Sequence, residues 1–429
     1  MLVVGCIVGV GIFRTASSIA AHLQSPALIL GVWAVGGALS LCGALCYAEL
    51  AAMFPSTGGD YVYVTQVYGR FWGFLFGWTK LFIERTGTIA ILGFVFAEYL
   101  RRLIPYDELT LRAVAGGGIL ALTLVNTAGV RWGTVVQNVL TVLKIAALGT
   151  LIAVGLLGSA TLQAAAPDWT LPPVDLDAIT SMGVALVFVL WTYGGWTEAA
   201  YVAEEVKEPT RNVPKAIIGG VLLTTALYLL VNWSYLRFIP VEALPNTPLV
   251  ASRVMQHVLG NSGATFITWM IVCSAFGALN GYILTGGRIL YAIGKDHALF
   301  GRLGTVHPRF HTPTRALWVN AAIAIVLVCT KTLDQIMTYS TVVISVFFTM
   351  AVIAVMILRR TQPALPRPYR AWGYPVTPLL FIVTMSGFIL NVCFTQRAEA
   401  LFGFIFLALG LPLYWWSARL GRSARHRQA

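Results

Sequence analysis

Two short stretches of this sequence offer backbone chemistry. One is Gly9-Val10-Gly11-Ile12-Phe13, the other Trp191-Thr192-Tyr193-Gly194-Gly195-Trp196. Both lie inside apolar runs. Glycine costs about 1 kcal/mol against alanine in a helix, so paired glycines in mid-run invite unwinding. The alternative is close packing of neighbouring helices over small residues. Unwinding leaves N–H groups at the start of the second half-helix, a natural seat for a carboxylate. It also leaves carbonyls at the end of the first half, which accept from an ammonium. A zwitterion with both groups on one carbon fits such a pair of breaks. An α-amino acid is the simplest example.

A second set of candidates is charged. Lys144 stands within the apolar run NVLTVLKIAALG. A lysine in a membrane span costs several kcal/mol unless it is paired or wet. It either snorkels to the edge of its span or finds partners inside. Lys80 and Glu84 are four apart and can pair on one helix face, with Arg85 directly after. Thr197 and Glu198 follow the second glycine stretch. No nucleophile–base pair and no cysteine cluster with zinc spacing accompanies these groups, so neither an enzyme nor a metal or cofactor site is expected. His307 and His311 are four apart, but Pro308 and Pro313 argue against a helix there.

These residues must be positioned by very apolar elements. The chain has 429 residues, 58% hydrophobic and only 11% charged. Soluble domains carry about 25% charged residues. Leu28–Met53, Ile179–Tyr201, Ala216–Leu236 and Val319–Thr330 are almost free of charge. A bilayer core of about 30 Å needs ~20 such residues per helix. The composition predicts an all-α polytopic membrane protein and excludes a soluble enzyme, a nucleic-acid binder and a disordered chain. Twelve helices are expected, at 2–22, 28–53, 70–101, 111–128, 134–158, 179–205, 215–237, 263–293, 315–332, 335–358, 376–395 and 400–418. The six cysteines all fall in apolar runs and read as small buried hydrophobes.

The net charge of +12 follows topology. With the N-terminus inside, seventeen Lys and Arg fall in cytoplasmic loops and the tail, from Arg70 to Arg427. Seven fall outside, among them Arg101, Arg237 and Lys331. That bias predicts both termini in the cytoplasm. The two glycine stretches lie in helices 1 and 6, the first helices of two five-helix sets. This is the pattern of an inverted-repeat transporter with its binding site at the bilayer midplane. The expected organisation is one transmembrane domain over 1–429. Its repeats cover about 1–158 and 179–358, with peripheral helices at about 376–418.

Six motifs then carry a resemblance. They are GVGIF at 9–13, ALCYAELAAMFPSTGGDYVYV at 44–64, NTAGVRW at 126–132 and YGGWTEAAYVAEEVKEPTRNVPKAI at 193–217, with SAFGALNGYILTGGRILYAIG at 274–294 and RPYRAWGYPVTP at 367–378. In this order the chain resembles the amino acid–polyamine–organocation (APC) superfamily, and within it the L-type amino acid transporter-like branch. The resemblance implies a LeuT-type 5+5 inverted repeat with helices 1 and 6 broken. It implies alternating access and, for a bacterial member, the inner membrane. Sodium-independent exchange of neutral L-amino acids is the activity it favours. A proton-coupled symporter or a permease for cationic amino acids or amines is the alternative, and a transporter-like sensor a distant one.

The same resemblance assigns residues. Val10, Gly11 and Ile12 would present N–H groups to the substrate carboxylate. The carbonyls of Ile7, Trp191 and Gly194 would take the amine, and the Trp191 ring would close over it. Thr192, Thr197 and Glu84 complete the expected substrate set. Val10 stands where relatives often carry a small hydroxyl residue, which removes one side-chain hydrogen bond. Lys144, with Ser274 as a partner, would replace a sodium ion between helices 1 and 8. The loop at about 102–111 lacks the cysteine that relatives use to join a single-span glycoprotein, so no covalently linked heavy chain is expected. Eight residues precede Gly9, about 12 Å of helix, and on that ground the sequence is expected to begin late.

Overall fold

The computed structural model describes residues 2–158, 168–173, 175–247, 249–330, 333–395 and 397–426. Lys331 and Arg427 of the charge tally lie outside them. Every regular element among the described residues is helical. α1 (Leu2–Ile7) and α2 (Gly11–His22) are one apolar segment interrupted at residues 8–10. α3 (Pro26–Met53) opens with a proline, whose missing N–H would have had no helical partner there. The short α4 (Asp60–Tyr68) leads to α5 (Arg70–Thr79), which passes through a π-helical turn, Lys80–Glu84, into α6 (Arg85–Leu103). α7 (Glu108–Thr127) is capped by Asp107, whose carboxylate accepts from the Thr110 N–H at 3.1 Å. α8 (Val130–Leu157) follows.

α9 (Leu176–Thr192) starts under a cap from Asp175, which accepts from the Ala178 N–H at 2.8 Å. After residues 193–195 the chain resumes as a tight 3-10 helix, Trp196–Glu205, and then α10 (Pro209–Phe238). α11 (Val250–Asp296) bends at Gly260, whose φ of 67° ends a short first part. α12 (Thr314–Thr330), α13 (Leu333–Thr361), α14 (Val376–Thr395) and α15 (Arg397–His426) complete the order.

Each of the twelve expected segments is helical over most of its described length; the first is interrupted at 8–10 and the sixth at 193–195, and 331–332 of the ninth lie outside the described residues. Among the described residues, eight stretches are long and apolar enough to cross a membrane. Length and charge explain most of the difference. The first segment is broken, the third carries three charges at its centre, and α12 has 17 residues. The outward faces are apolar, with Val139, Val142, Leu222 and Val383 exposed, as suits contact with lipid tails.

α1 lies in the middle, packed against α8, α10, α11 and the 3-10 helix. α3 runs along α10, where the ring of Trp33 meets Tyr228 edge-on at 5.3 Å and Tyr193 at 5.9 Å. Near the end of α3 the carboxylate of Glu49 is fully buried. It accepts from Arg359 Nε at 2.9 Å and from the Ala371 N–H at 2.7 Å, with Arg367 Nε at 3.5 Å. This clasp ties α3 to the end of α13 and the loop beyond it. Replacing Glu49 by alanine leaves two guanidinium groups without their counter-charge, a loss of about 3–5 kcal/mol for a buried pair. Glu49→Ala should lower the melting temperature in detergent by several degrees. An unchanged melting temperature would show that the clasp does not stabilise the fold.

Candidate functional site at two broken helices

The two breaks touch each other. A Cβ on Gly11 would stand 2.7 Å from the Thr192 side chain. Gly195 has φ 106°, in the left-handed region, and a Cβ there would lie 3.0 Å from the Cys6 carbonyl carbon. The Thr15 and Thr192 hydroxyls are 3.2 Å apart. The glycines thus serve both unwinding and close approach, which the sequence had set against each other.

The backbone groups at the breaks are unequally engaged. Among the described residues, no backbone carbonyl accepts from the N–H of Val10, Gly11 or Ile12, whereas Phe13 and Arg14 both donate to the Val10 carbonyl at 3.1 Å. The Ile7 carbonyl accepts from the Gly9 N–H at 2.7 Å and from the Tyr228 hydroxyl at 2.9 Å. The Trp191 carbonyl accepts from the Gly194 N–H at 3.0 Å. No backbone donor among the described residues reaches the Gly194 carbonyl.

A cavity of about 160 Å³ opens at this junction. Of the expected substrate residues, Ile7, Val10, Gly11, Trp191, Thr192, Gly194, Thr197 and Glu84 line it. Ile12 does not; its side chain is fully buried, and its N–H has no backbone acceptor among the described residues. Lys144 and Ser274 stand behind the wall. The Lys144 ammonium is fully buried and donates to the carbonyls of Gly5 at 2.7 Å and Val8 at 2.8 Å. The Ser274 hydroxyl reaches the carbonyls of Val8 at 3.4 Å and Gly9 at 3.3 Å. Lys144 therefore does not snorkel. It and Ser274 meet at one carbonyl of the first break.

The charged group in the third segment closes another side. Lys80 pairs with Glu84 at 2.8 Å, as their spacing predicts. Arg85 does something the sequence did not announce. Its two terminal nitrogens donate to the two oxygens of Glu198 at 3.0 and 3.2 Å. The Thr285 hydroxyl donates to the same carboxylate. Rings of Tyr201 and Tyr282 lie 5.1 and 5.0 Å from the guanidinium. The sequence also missed much of the wall. Trp196 lines the cavity and meets Tyr47 edge-on at 4.9 Å. Phe381, Met385 and Phe388 reach it from α14, a helix expected at the periphery. No local spacing signals such contacts.

Facing helix breaks around a small cavity, among helices long and apolar enough to cross a membrane, fit the class of multi-pass membrane transport proteins. The family model described as amino acid permease matches residues 1–414, and the chain belongs to that family. It is 30% identical over 419 residues to the serine/threonine exchanger SteT of Bacillus subtilis (strain 168), covering 96% of this chain and 94% of that protein. It is 28% identical over 421 residues to the human b(0,+)-type amino acid transporter 1, covering 96% and 85%. It is 29% identical over 427 residues to the rat large neutral amino acids transporter small subunit 2, covering 96% and 78%.

The ammonium of Lys144 is the main donor to the end of α1. Lys144→Ala leaves the Gly5 carbonyl without its side-chain donor and the Val8 carbonyl with only the Ser274 hydroxyl at 3.4 Å. Uptake of amino acid by reconstituted protein should fall by about tenfold or more, the scale of losing hydrogen bonds from a charged donor. Near-normal uptake by a folded variant would show that the break holds without it.

Proposed function

We propose that this chain is a sodium-independent exchanger of neutral L-amino acids that works by alternating access. One observation carries the proposal: two facing breaks offer open N–H groups and a carbonyl, while both carboxylates on the cavity wall already have internal cations. A neutral side chain then meets no unbalanced charge. Val10, Gly11 and Ile12 take the substrate carboxylate. The Gly194 carbonyl, with those of Ile7 and Trp191, takes the amine. Thr192 and Thr197 border the side chain, and the Trp191 ring closes the site. Lys144 and Ser274 fill the place of a coupling cation, so sodium has no seat beside α1.

The proposed architecture is a pair of inverted repeats over about 1–158 and 179–358, with further helices at about 376–418. The protein is placed in the inner membrane with both termini in the cytoplasm, acting without a covalently linked heavy chain. The serine/threonine exchanger among its relatives supports the reading, since that match covers 96% of this chain and 94% of that protein. Proteoliposomes test it. Labelled serine or leucine should enter only vesicles preloaded with unlabelled amino acid, at a rate indifferent to sodium and pH gradients. Entry into empty vesicles driven by a proton gradient would replace exchange with symport.

A further inference from the structure

Glu84 and Glu198 both line the cavity, but the cations that match them do not. Lys80 stands behind Glu84 at 2.8 Å and also donates to the Tyr201 hydroxyl at 3.1 Å. Arg85 stands behind Glu198 and holds both of its oxygens. With Thr285 donating to Oε2 as well, both oxygens of the Glu198 carboxylate are engaged from within the protein. Arg85 is fully buried, and its stem crosses α11 at Gly286, where a Cβ would stand 2.9 Å from Arg85 Cγ. The seat is therefore shaped for this side chain. Two cations and two carboxylates balance along the wall.

Other charges nearby are engaged elsewhere. Asp60 is buried, accepts from the Tyr47 hydroxyl at 3.3 Å and does not line the cavity. Arg288 pairs with Glu205. Lys144 faces α1.

We infer that Arg85 is a positioning residue that sets the charge of the accepted side chain. It acts through Glu198. While Arg85 holds that carboxylate the wall is neutral and admits neutral side chains. Without Arg85 an unpaired carboxylate borders the cavity, and a buried charge of that kind demands a counter-ion. A substrate ammonium, as in lysine or ornithine, supplies one. The inference rests on the proposed exchange of neutral amino acids through this cavity.

The test compares L-lysine with L-leucine as probes for Arg85→Gln, Arg85→Lys and the double variant Arg85→Gln/Glu198→Gln. In exchange assays, Arg85→Gln should raise the lysine-to-leucine uptake ratio by about tenfold or more, the worth of one charged hydrogen-bonded pair. Arg85→Lys should keep the parental ratio. The double variant should return to it, because no carboxylate is left unpaired. A folded Arg85→Gln with its ratio within about twofold of the parent, or a gain that persists in the double variant, would overturn the inference.

Where Arg85→Gln does not fold alone, lysine should rescue it in detergent and leucine should not, since a ligand that binds only the folded state stabilises it. Lys80→Met removes the nearer of the two cations beside Glu84, leaving Arg85 Nε at 3.9 Å, and should show a weaker lysine-specific stabilisation. Absence of lysine stabilisation in both variants counts against the inference. These melting measurements need no transport. If the unmodified protein exchanges no neutral amino acid, the proposed function fails while the charge role of Arg85 is still decided.

Discussion

A backbone carbonyl inside a bilayer must meet a donor, because an unsatisfied one costs several kcal/mol. The end of α1 is governed by this constraint. The carbonyls of Gly5 and Val8 meet the Lys144 ammonium, that of Ile7 meets Tyr228 and the Gly9 N–H, and that of Gly9 meets Ser274. The donors come from α8, α10 and α11, so three helices hold the break open. Among the described residues, no comparable backbone acceptor serves the N–H groups of Val10, Gly11 and Ile12. The break is thus asymmetric. Its carbonyl side is filled by fixed donors and its amide side is left for an acceptor. An anion is the better-specified half of any ligand, and an ammonium must look mainly to the second break at Gly194.

The charges around the cavity obey a related rule. An ionised side chain in a low-dielectric interior persists only when matched. Lys80, Glu84, Arg85 and Glu198 are each less than a tenth exposed, and they are arranged as two pairs rather than four isolated charges. The pairs differ in reach. Lys80–Glu84 lies within one segment and reaches the 3-10 helix only through the bond from Lys80 to the Tyr201 hydroxyl. Arg85–Glu198 joins α6 to the 3-10 helix, and Thr285 adds α11. One carboxylate therefore gathers three elements at the edge of the cavity.

The sequence made some of this legible and hid the rest for a physical reason. Run lengths of apolar residues placed all twelve helical segments, because a bilayer imposes one length on each. The breaks were legible because glycine weakens a helix wherever it stands. Lys80–Glu84 was legible because four residues make one helical turn. Arg85–Glu198, Tyr228–Ile7 and the cavity-facing rings of α14 were not. Their partners are 113, 221 or more residues apart or depend on how helices cross, and no local period records that. Lys144 falls between these cases. Its cost inside a span announced that it must do something, but its carbonyl partners became definite only in three dimensions.

The glycines at the two breaks also limit how the site can move. Gly195 lies against the backbone of α1, and Gly11 against Thr192, with no room for a single methyl group at either contact. Close-packed interiors transmit displacement rather than absorb it. A shift of the 3-10 helix toward α1 presses directly on Cys6 and Ile7, and a shift of α2 presses on α9. α1 is restrained from its other sides by hydrogen bonds from side chains, Lys144 the longest of them, and by close approach, since a Cβ on Gly5 would meet Thr141 of α8 and one on Gly281 of α11 would stand 2.6 Å from Cys6 Sγ. Contacts are therefore close both between the breaks and between α1 and the helices around it. α1 thus has little freedom of its own, and a displacement at either break passes to its neighbouring helices as well as across the junction.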